Sequence, residues 1–91
     1  MNSKKITMFI IKSCPYCKEA LNWMDELYSK NPEYKSLEIE IIDENEHPDI
    51  ADRYDYHYVP TYYIANKKVH EGVANLKKIQ HVLDIALGKI K

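Results

Sequence analysis

The two cysteines of this 91-residue chain lie together as Cys14-Pro15-Tyr16-Cys17, and the sequence contains no others. Two cysteines separated by two residues act either as a redox-active dithiol or as half of a metal site. A thiolate is the reactive form of cysteine, and the positive end of a helix stabilises its negative charge. The choice between redox and metal chemistry therefore decides which function the sequence predicts.

The patterns on either side of the motif place Cys14 at the start of a helix. Residues 6–11 form a nearly continuous apolar run with many β-branched side chains, which predicts a strand buried on both faces. Pro15 suits the first position of a helix. Apolar residues then recur at helical spacing up to Asn31-Pro32, where the predicted helix ends.

The helix start assigns unequal roles to the two cysteines. Cys14 lies at the helix N-terminus with Lys12 as a nearby cation, so it is predicted to be the attacking thiolate. Cys17 falls on the same helix face but deeper and further from the helix end. It is predicted to be the less acidic thiol that resolves the mixed disulfide.

The rest of the chain alternates between strand and helix patterns. Its predicted elements are a strand with one wetter face at 37–42, a short helix from Pro48, a hairpin of strands at 61–65 and 68–71, and a final amphipathic helix that begins after Asn75 and ends at Gly88. The order βαβαββα predicts a single α/β domain over residues 1–91, with a four-stranded mixed sheet and helices on both faces. The cysteines lie after the first strand, where open α/β sheets place their sites.

Composition and charge exclude several classes of partner. Thirteen basic and fourteen acidic side chains nearly cancel, so we expect neither nucleic acid nor an anionic membrane surface as partner. The apolar run near the N-terminus is too short to span a bilayer. A single C-x-x-C without an export signal predicts a reducing, cytoplasmic compartment, and we expect a monomer.

A metal site would need further ligands beyond the two thiols. The chain has four histidines, His47, His57, His70 and His81, and none of them forms a second cluster with the spacing of a zinc site. We therefore expect no metal, and redox chemistry is the favoured interpretation. Two unrelated core cysteines are a further alternative, which a C-P-Y-C sequence at a helix start makes the weaker one.

With these residues in place, the chain resembles the glutaredoxin family of thioredoxin-fold proteins, in its dithiol form. The resemblance rests on Cys14-Pro15-Tyr16-Cys17 and on an element order that covers essentially the whole chain. It implies a thiol–disulfide oxidoreductase that reduces protein disulfides and glutathione mixed disulfides. Glutathione would be its co-substrate, and no cofactor would be tightly bound.

The resemblance also implies a substrate-binding surface around Val59-Pro60. In the family this Val-Pro bond is cis, and the backbone of the residue before the proline, here Val59, pairs with the cysteinyl unit of the substrate. Tyr16 could pack on a bound thiol compound. The residues predicted to bind substrate or glutathione are Lys12, Tyr16, Tyr58, Val59, Pro60, Gly72, Val73 and Asn75.

Several positions depart from the glutaredoxin pattern and keep other hypotheses open. Ile11 replaces a basic residue, Tyr58 replaces a threonine, and Glu71-Gly72-Val73-Ala74-Asn75 stands where the family has Gly-Gly-x-x-Asp. Pro60-Thr61 is similar to thioredoxin, so the second hypothesis is a thioredoxin-like protein reduced by a thioredoxin reductase. The third is a metal or iron–sulfur carrier, which would need a dimer or glutathione ligands because each chain has two thiols.

Overall fold

The computed structural model describes residues 4–89, so the predicted single domain over 1–91 extends slightly beyond the described part of the chain. Its elements in chain order are β1 (Ile6–Ile10), α1 (Pro15–Lys30), a 3-10 helix (Pro32–Ser36), β2 (Ile39–Asp43), α2 (Pro48–Ala51), β3 (Thr61–Ile64), β4 (Lys67–Glu71) and α3 (Leu76–Leu87). This is the predicted βαβαββα order with one additional 3-10 helix.

The four strands form one mixed sheet in the order β2-β1-β3-β4. β1 is parallel to β2, as expected for a βαβ unit, and antiparallel to β3, which in turn is antiparallel to β4. β1 therefore lies in the middle of the sheet, and its residues are largely buried on both faces. The predicted thioredoxin-like α/β fold is confirmed.

Alternation along the two central strands divides the core between the two faces of the sheet. Ile6, Met8 and Ile10 face the larger core, which the apolar sides of α1 and α3 cover. Phe9 points to the opposite face, where α2 and three tyrosines complete a smaller core. Each face of the sheet is thus covered by helix, as the sequence predicts.

The main departure from the predicted elements follows α1. The sequence patterns do not predict the 3-10 helix, which buries Tyr34. The hydroxyl of Tyr34 donates a hydrogen bond to Asp84 Oδ1 at 2.6 Å, across fifty residues of chain. This segment is therefore fixed by contact with α3, which local patterns cannot reveal.

The second strand also differs from its prediction. It begins and ends later than the predicted 37–42, and Ile41, which the alternating pattern turns inward, is 47% exposed. β2 is an edge strand, so its side chains are less completely covered than those of β1.

The β3–β4 hairpin contains a turn and a bulge that the sequence does not reveal. The turn residues are Ala65 and Asn66, both with positive φ, in place of the predicted Asn66-Lys67. The pairing shifts within the hairpin, because Tyr62 faces His70 whereas Tyr63 faces Lys68. One extra residue in β4 is the defining feature of a β-bulge.

Candidate active site

Strand register brings the predicted site residues to one end of the sheet. Phe9 of β1 pairs with Thr61 of β3, so the loop after β1 and the loop before β3 leave the sheet at the same end. Thr61 also pairs with Glu71, which places the chain after β4 at this end. We call residues 11–14 the cysteine loop and residues 57–60 the proline loop.

Cys14 is the N-cap residue of α1, as predicted. Pro15 occupies the first helical position, and the carbonyl of Cys14 accepts hydrogen bonds from the amides of Cys17 (3.1 Å) and Lys18 (3.2 Å). The Cys14 side chain is a partly exposed free thiol that makes no capping hydrogen bond. A thiol at this place is open to a substrate and lies at the positive end of the helix.

Cys17 is a free thiol that is 1% exposed and belongs to the larger core. Burial raises the pKa of Cys17 from 9.0 to about 11, and hydrogen bonding to Cys14 and charge on Cys14 act in the same direction. A hydrogen bond with the Ile11 backbone opposes this shift only in part. The predicted difference in burial is present and the pKa of the buried thiol is raised, while the roles in attack and resolution remain predictions.

The side chain and the main chain of Lys12 have different partners. Its ammonium group forms an exposed ion pair with Glu46. The backbone N–H of Lys12 instead donates to Asp43 Oδ2 at 3.0 Å, which ties the cysteine loop to the end of β2. The main chain of Lys12 thus anchors the cysteine loop, while the role of its side chain as a cation near Cys14 stays a prediction.

Asp43 is a buried residue at the end of β2, and no sequence motif marks it. Its carboxylate accepts three backbone N–H groups, from Lys12 and, in its own loop, from Asn45 (2.8 Å) and Glu46 (3.3 Å). Burial by itself would raise the pKa of Asp43, but these three donors and the charge of Lys12 lower it below its usual value. Asp43 is thus an ionised anchor beneath the cysteine loop.

The Val59-Pro60 peptide bond is cis, as the resemblance implies. Pro60 is fully buried, and Val59 is half-buried between the two cores. Within residues 4–89, no hydrogen bond uses the backbone N–H or C=O of Val59. An unpaired, partly exposed amide and carbonyl at this place can pair with an extended peptide.

The remaining predicted binding residues fall into two groups. Tyr16, Tyr58 and Val73 are exposed by 51%, 69% and 57%. Gly72 has φ +92°, and Asn75 uses its side-chain oxygen to accept the Lys78 amide (2.8 Å) as the N-cap of α3. The first group is exposed to solvent, whereas the side-chain oxygen of Asn75 caps α3.

Glu71, like Asp43, makes contacts that the sequence does not predict. Its Oε2 accepts the backbone N–H groups of His57 and Tyr58, and its Oε1 lies 2.7 Å from Lys68 Nζ. No motif signals either Asp43 or Glu71, because both act on main-chain amides that are distant in sequence.

Metal binding and membrane insertion would each need a recognisable group of residues. Residues 4–89 contain no group of three or more His, Cys, Asp or Glu side chains that could hold a metal ion. In the same part of the chain, no helix has the length and apolar character needed to cross a membrane.

Comparison with protein-family models gives a match to the thioredoxin domain over residues 4–84, nearly the whole chain. The chain belongs to the thioredoxin domain family. This is a family of thiol–disulfide oxidoreductases, in agreement with the two neighbouring free thiols. No curated protein sequence matches the chain significantly.

Solved structures give the same fold for this thioredoxin domain. It is similar to the thioredoxin of Fasciola hepatica, with a TM-score of 0.69 and 18% identity over 93% of this chain and 82% of that one. A thioredoxin-like protein of Clostridium perfringens gives 0.67 and 25% identity over 93% and 71%. A protein disulfide oxidoreductase of Aeropyrum pernix gives 0.64 and 25% identity over 99% of this chain and 41% of that one.

Proposed function

We propose that this thioredoxin domain reduces protein disulfides and glutathione mixed disulfides, with Cys14 as the attacking thiolate and Cys17 as the resolving thiol. The observation that carries the proposal is the contrast within the pair. Cys14 is open at the helix start, whereas Cys17 is buried with a raised pKa. A nucleophile must reach its substrate, and a resolving thiol needs only to reach its neighbour.

The proposed reaction begins with attack of the Cys14 thiolate on a substrate disulfide. The Cys14–substrate disulfide forms, and the other half of the substrate leaves as a thiolate that takes up a proton. Cys17 then loses its proton and attacks Cys14 Sγ, which releases the second substrate thiol and leaves a Cys14–Cys17 disulfide. Two electrons pass from the dithiol to the substrate, so an external reductant must restore the pair.

The backbone of Val59 supports this mechanism by offering a place for the substrate chain. Its N–H and C=O are unused within the described part of the chain, and both lie beside the cis proline at the cysteine end of the sheet. An extended cysteinyl segment that paired with Val59 would be oriented for in-line attack by Cys14.

Glutathione is the first candidate reductant, proposed from the C-P-Y-C motif. Two glutathione molecules would reduce the Cys14–Cys17 disulfide and leave as glutathione disulfide. For a glutathione mixed disulfide, Cys14 would attack the glutathione sulfur and release the protein thiol, and a second glutathione would then free Cys14. Cys17 is not needed in that shorter cycle.

A thioredoxin reductase is the second candidate, and two contacts and one residue type favour it. The Lys12 ammonium pairs with Glu46, the Asn75 oxygen caps α3, and a carboxylate stands at position 71 where the glutaredoxin pattern has glycine. The Lys12 ammonium and the Asn75 oxygen, which the resemblance implies for glutathione, thus already have partners within the protein. In either case the dithiol would work in a reducing compartment, which we propose to be the cytoplasm.

Cysteine variants and two reductants test the proposal together. We expect Cys14→Ser to abolish all disulfide reduction, and Cys17→Ser to lose reduction of protein disulfides while it retains removal of glutathione from a mixed disulfide. Wild-type protein is assayed with glutathione plus glutathione reductase, and separately with NADPH plus thioredoxin reductase. Activity that survives in Cys14→Ser, or a wild-type protein inactive with both reductants, would refute the proposed function.

A further inference from the structure

The proline loop is held to β4 by a single carboxylate. The amides of His57 and Tyr58 both donate to Glu71 Oε2, with the Tyr58 nitrogen at 3.0 Å. Within residues 4–89 these two amides have no other hydrogen-bond acceptor. Removal of the Glu71 side chain would therefore free the amides of the two residues immediately before Val59, although the Tyr58 carbonyl would still accept the Thr61 hydroxyl.

Glu71 is itself oriented by Lys68, and the β-bulge makes this possible. Side chains three residues apart on a regular strand point to opposite faces. In β4 the extra residue between the positions facing Tyr62 and Tyr63 reverses the alternation. Lys68 and Glu71 consequently lie on one side, with 2.7 Å between Lys68 Nζ and Glu71 Oε1.

The end of β4 fixes the chain on both sides of Val59. Glu71 binds the two amides before Val59, and the amide of Gly72 donates to the carbonyl of Pro60 at 2.9 Å. Val59 alone in this stretch has neither its N–H nor its C=O in use within the described residues. The orientation of its free backbone groups is thus set by its neighbours.

We propose that Glu71, oriented by Lys68, is a positioning residue that holds the Val59 backbone ready for an extended disulfide substrate. This inference rests on the proposed function, because it assigns Glu71 a role in substrate binding at that site. The hydrogen bond from Lys68, with those from His57 and Tyr58, lowers the pKa of Glu71 to about 2. The carboxylate therefore remains ionised at every pH where thiol–disulfide exchange proceeds.

The experiment compares Glu71→Ala and Glu71→Gln with the matched control Glu40→Ala. Glu40 also pairs with a lysine at 2.7 Å, Lys5, but lies on the edge strand β2. We expect Glu71→Ala to lower kcat/KM for a disulfide-containing peptide about tenfold, mainly through KM, which corresponds to about 1.4 kcal/mol. Glu71→Gln keeps an acceptor oxygen and should recover most of this loss, and Glu40→Ala should match wild type.

Two additional measurements separate positioning from general damage. Alkylation of Cys14 by iodoacetamide needs no peptide-binding backbone, so its rate should be unchanged in Glu71→Ala. Amide hydrogen exchange at His57 and Tyr58 should become faster in Glu71→Ala and remain slow in Glu40→Ala. An unchanged kcat/KM, or an equal loss of iodoacetamide reactivity, would overturn the proposal.

Failure of the proposed function would give a different pattern. A wild-type protein that reduces no disulfide removes the positioning role of Glu71 in substrate binding together with the proposed function. An active wild-type protein with normal kinetics in Glu71→Ala rejects the positioning role alone. Exchange at His57 and Tyr58 shows in either case whether Glu71 holds the proline loop.

Discussion

The cysteine loop and the proline loop face each other across the candidate site, and one carboxylate holds each of them. Asp43 is buried, and three backbone amides donate to it. Glu71 is nearer the surface, accepts two amides and relies on Lys68 for its orientation. The loop that carries Cys14 is thus held from the protein interior, whereas the loop that carries Val59 is held by an ion pair within reach of solvent.

This difference has a physical consequence for the two sides of the site. Salt screens an ion pair at the surface far more than it affects hydrogen bonds to a buried carboxylate. The position of the cysteine loop should therefore be insensitive to ionic strength, and that of the proline loop more sensitive. Three further experiments test whether the two loops are held in these different ways.

The largest effect is expected at Cys17, the buried member of the pair on the cysteine side. Its raised pKa of about 11, against an ordinary 9.0, leaves about a hundredfold less thiolate at pH 7. Cys14→Ser keeps the burial of Cys17 but removes the contributions of Cys14 to its pKa, so iodoacetamide should alkylate native Cys17 more slowly than the same protein unfolded in urea, by up to about a hundredfold. Because the pKa is raised, the native rate should climb as pH rises towards 11.

The unfolded protein serves as its own control for the chemistry of alkylation. Equal rates in native and unfolded Cys14→Ser would show that burial does not suppress the Cys17 thiolate. The proposed difference between a cysteine loop held from the interior and a proline loop held near the solvent would then lose its main support.

A smaller effect is expected when the buried anchor of the cysteine loop is removed. Asp43→Ala leaves the amides of Lys12 and Asn45 without their acceptor, whereas the Glu46 amide keeps the Asp43 backbone carbonyl. We expect the Tm to fall by roughly 5–10 °C in a thermal scan. Asp43→Asn keeps an oxygen acceptor and should lose less. Glu46→Ala removes only the exposed partner of Lys12 and should stay near wild type. If Asp43→Ala is as stable as Glu46→Ala, the cysteine loop is not held from the interior.

The smallest expected effect is a kinetic difference between variants of two glycines with nearly equal backbone geometry. Gly72 has φ +92° and Gly88 has φ +88°, so alanine at either position should cost about 1–2 kcal/mol of unfolding free energy in urea titrations. A Cβ on Gly72 would lie 3.7 Å from Tyr58 Cβ, whereas around Gly88 no such contact exists among the described residues.

Activity should therefore distinguish the two glycine variants although their stabilities are alike. Relief of strain at residue 72 would shift the amide that donates to Pro60, so we expect kcat/KM of Gly72→Ala to fall about threefold. Gly88→Ala should keep wild-type kinetics. Equal kinetics in both would mean that the proline loop tolerates movement at the end of β4.

The sequence predicts best those parts whose signals are local. The apolar run of β1 and the Pro15 start of α1 follow from residue types within a few positions, and so does the Asn75 cap of α3. The cysteines, the cis proline and the end of the sheet where they lie are predicted as well, in part through the resemblance that the C-P-Y-C motif supports.

The features that the sequence does not predict depend on contacts between distant segments. Asp43 and Glu71 bind backbone amides, which every residue carries, so their partners leave no mark in residue type. The 3-10 helix depends on the hydrogen bond from Tyr34 to Asp84, and the exposure of Ile41 depends on the position of β2 at the edge of the sheet. Lys12 is a further example of a contact between distant segments, because the sequence spacing could not show that its ammonium group pairs with Glu46.

The central position of β1 also governs when the site can exist during synthesis. β1 precedes both its neighbours in the chain, yet its antiparallel partner β3 lies more than fifty residues later, at Thr61–Ile64. Contacts so distant in sequence form only after the intervening chain has emerged from the ribosome. Until then Cys17 lacks the strand and helix that bury it. Both thiols of the nascent chain are therefore open to oxidants, whereas in the finished fold Cys17 is protected from them.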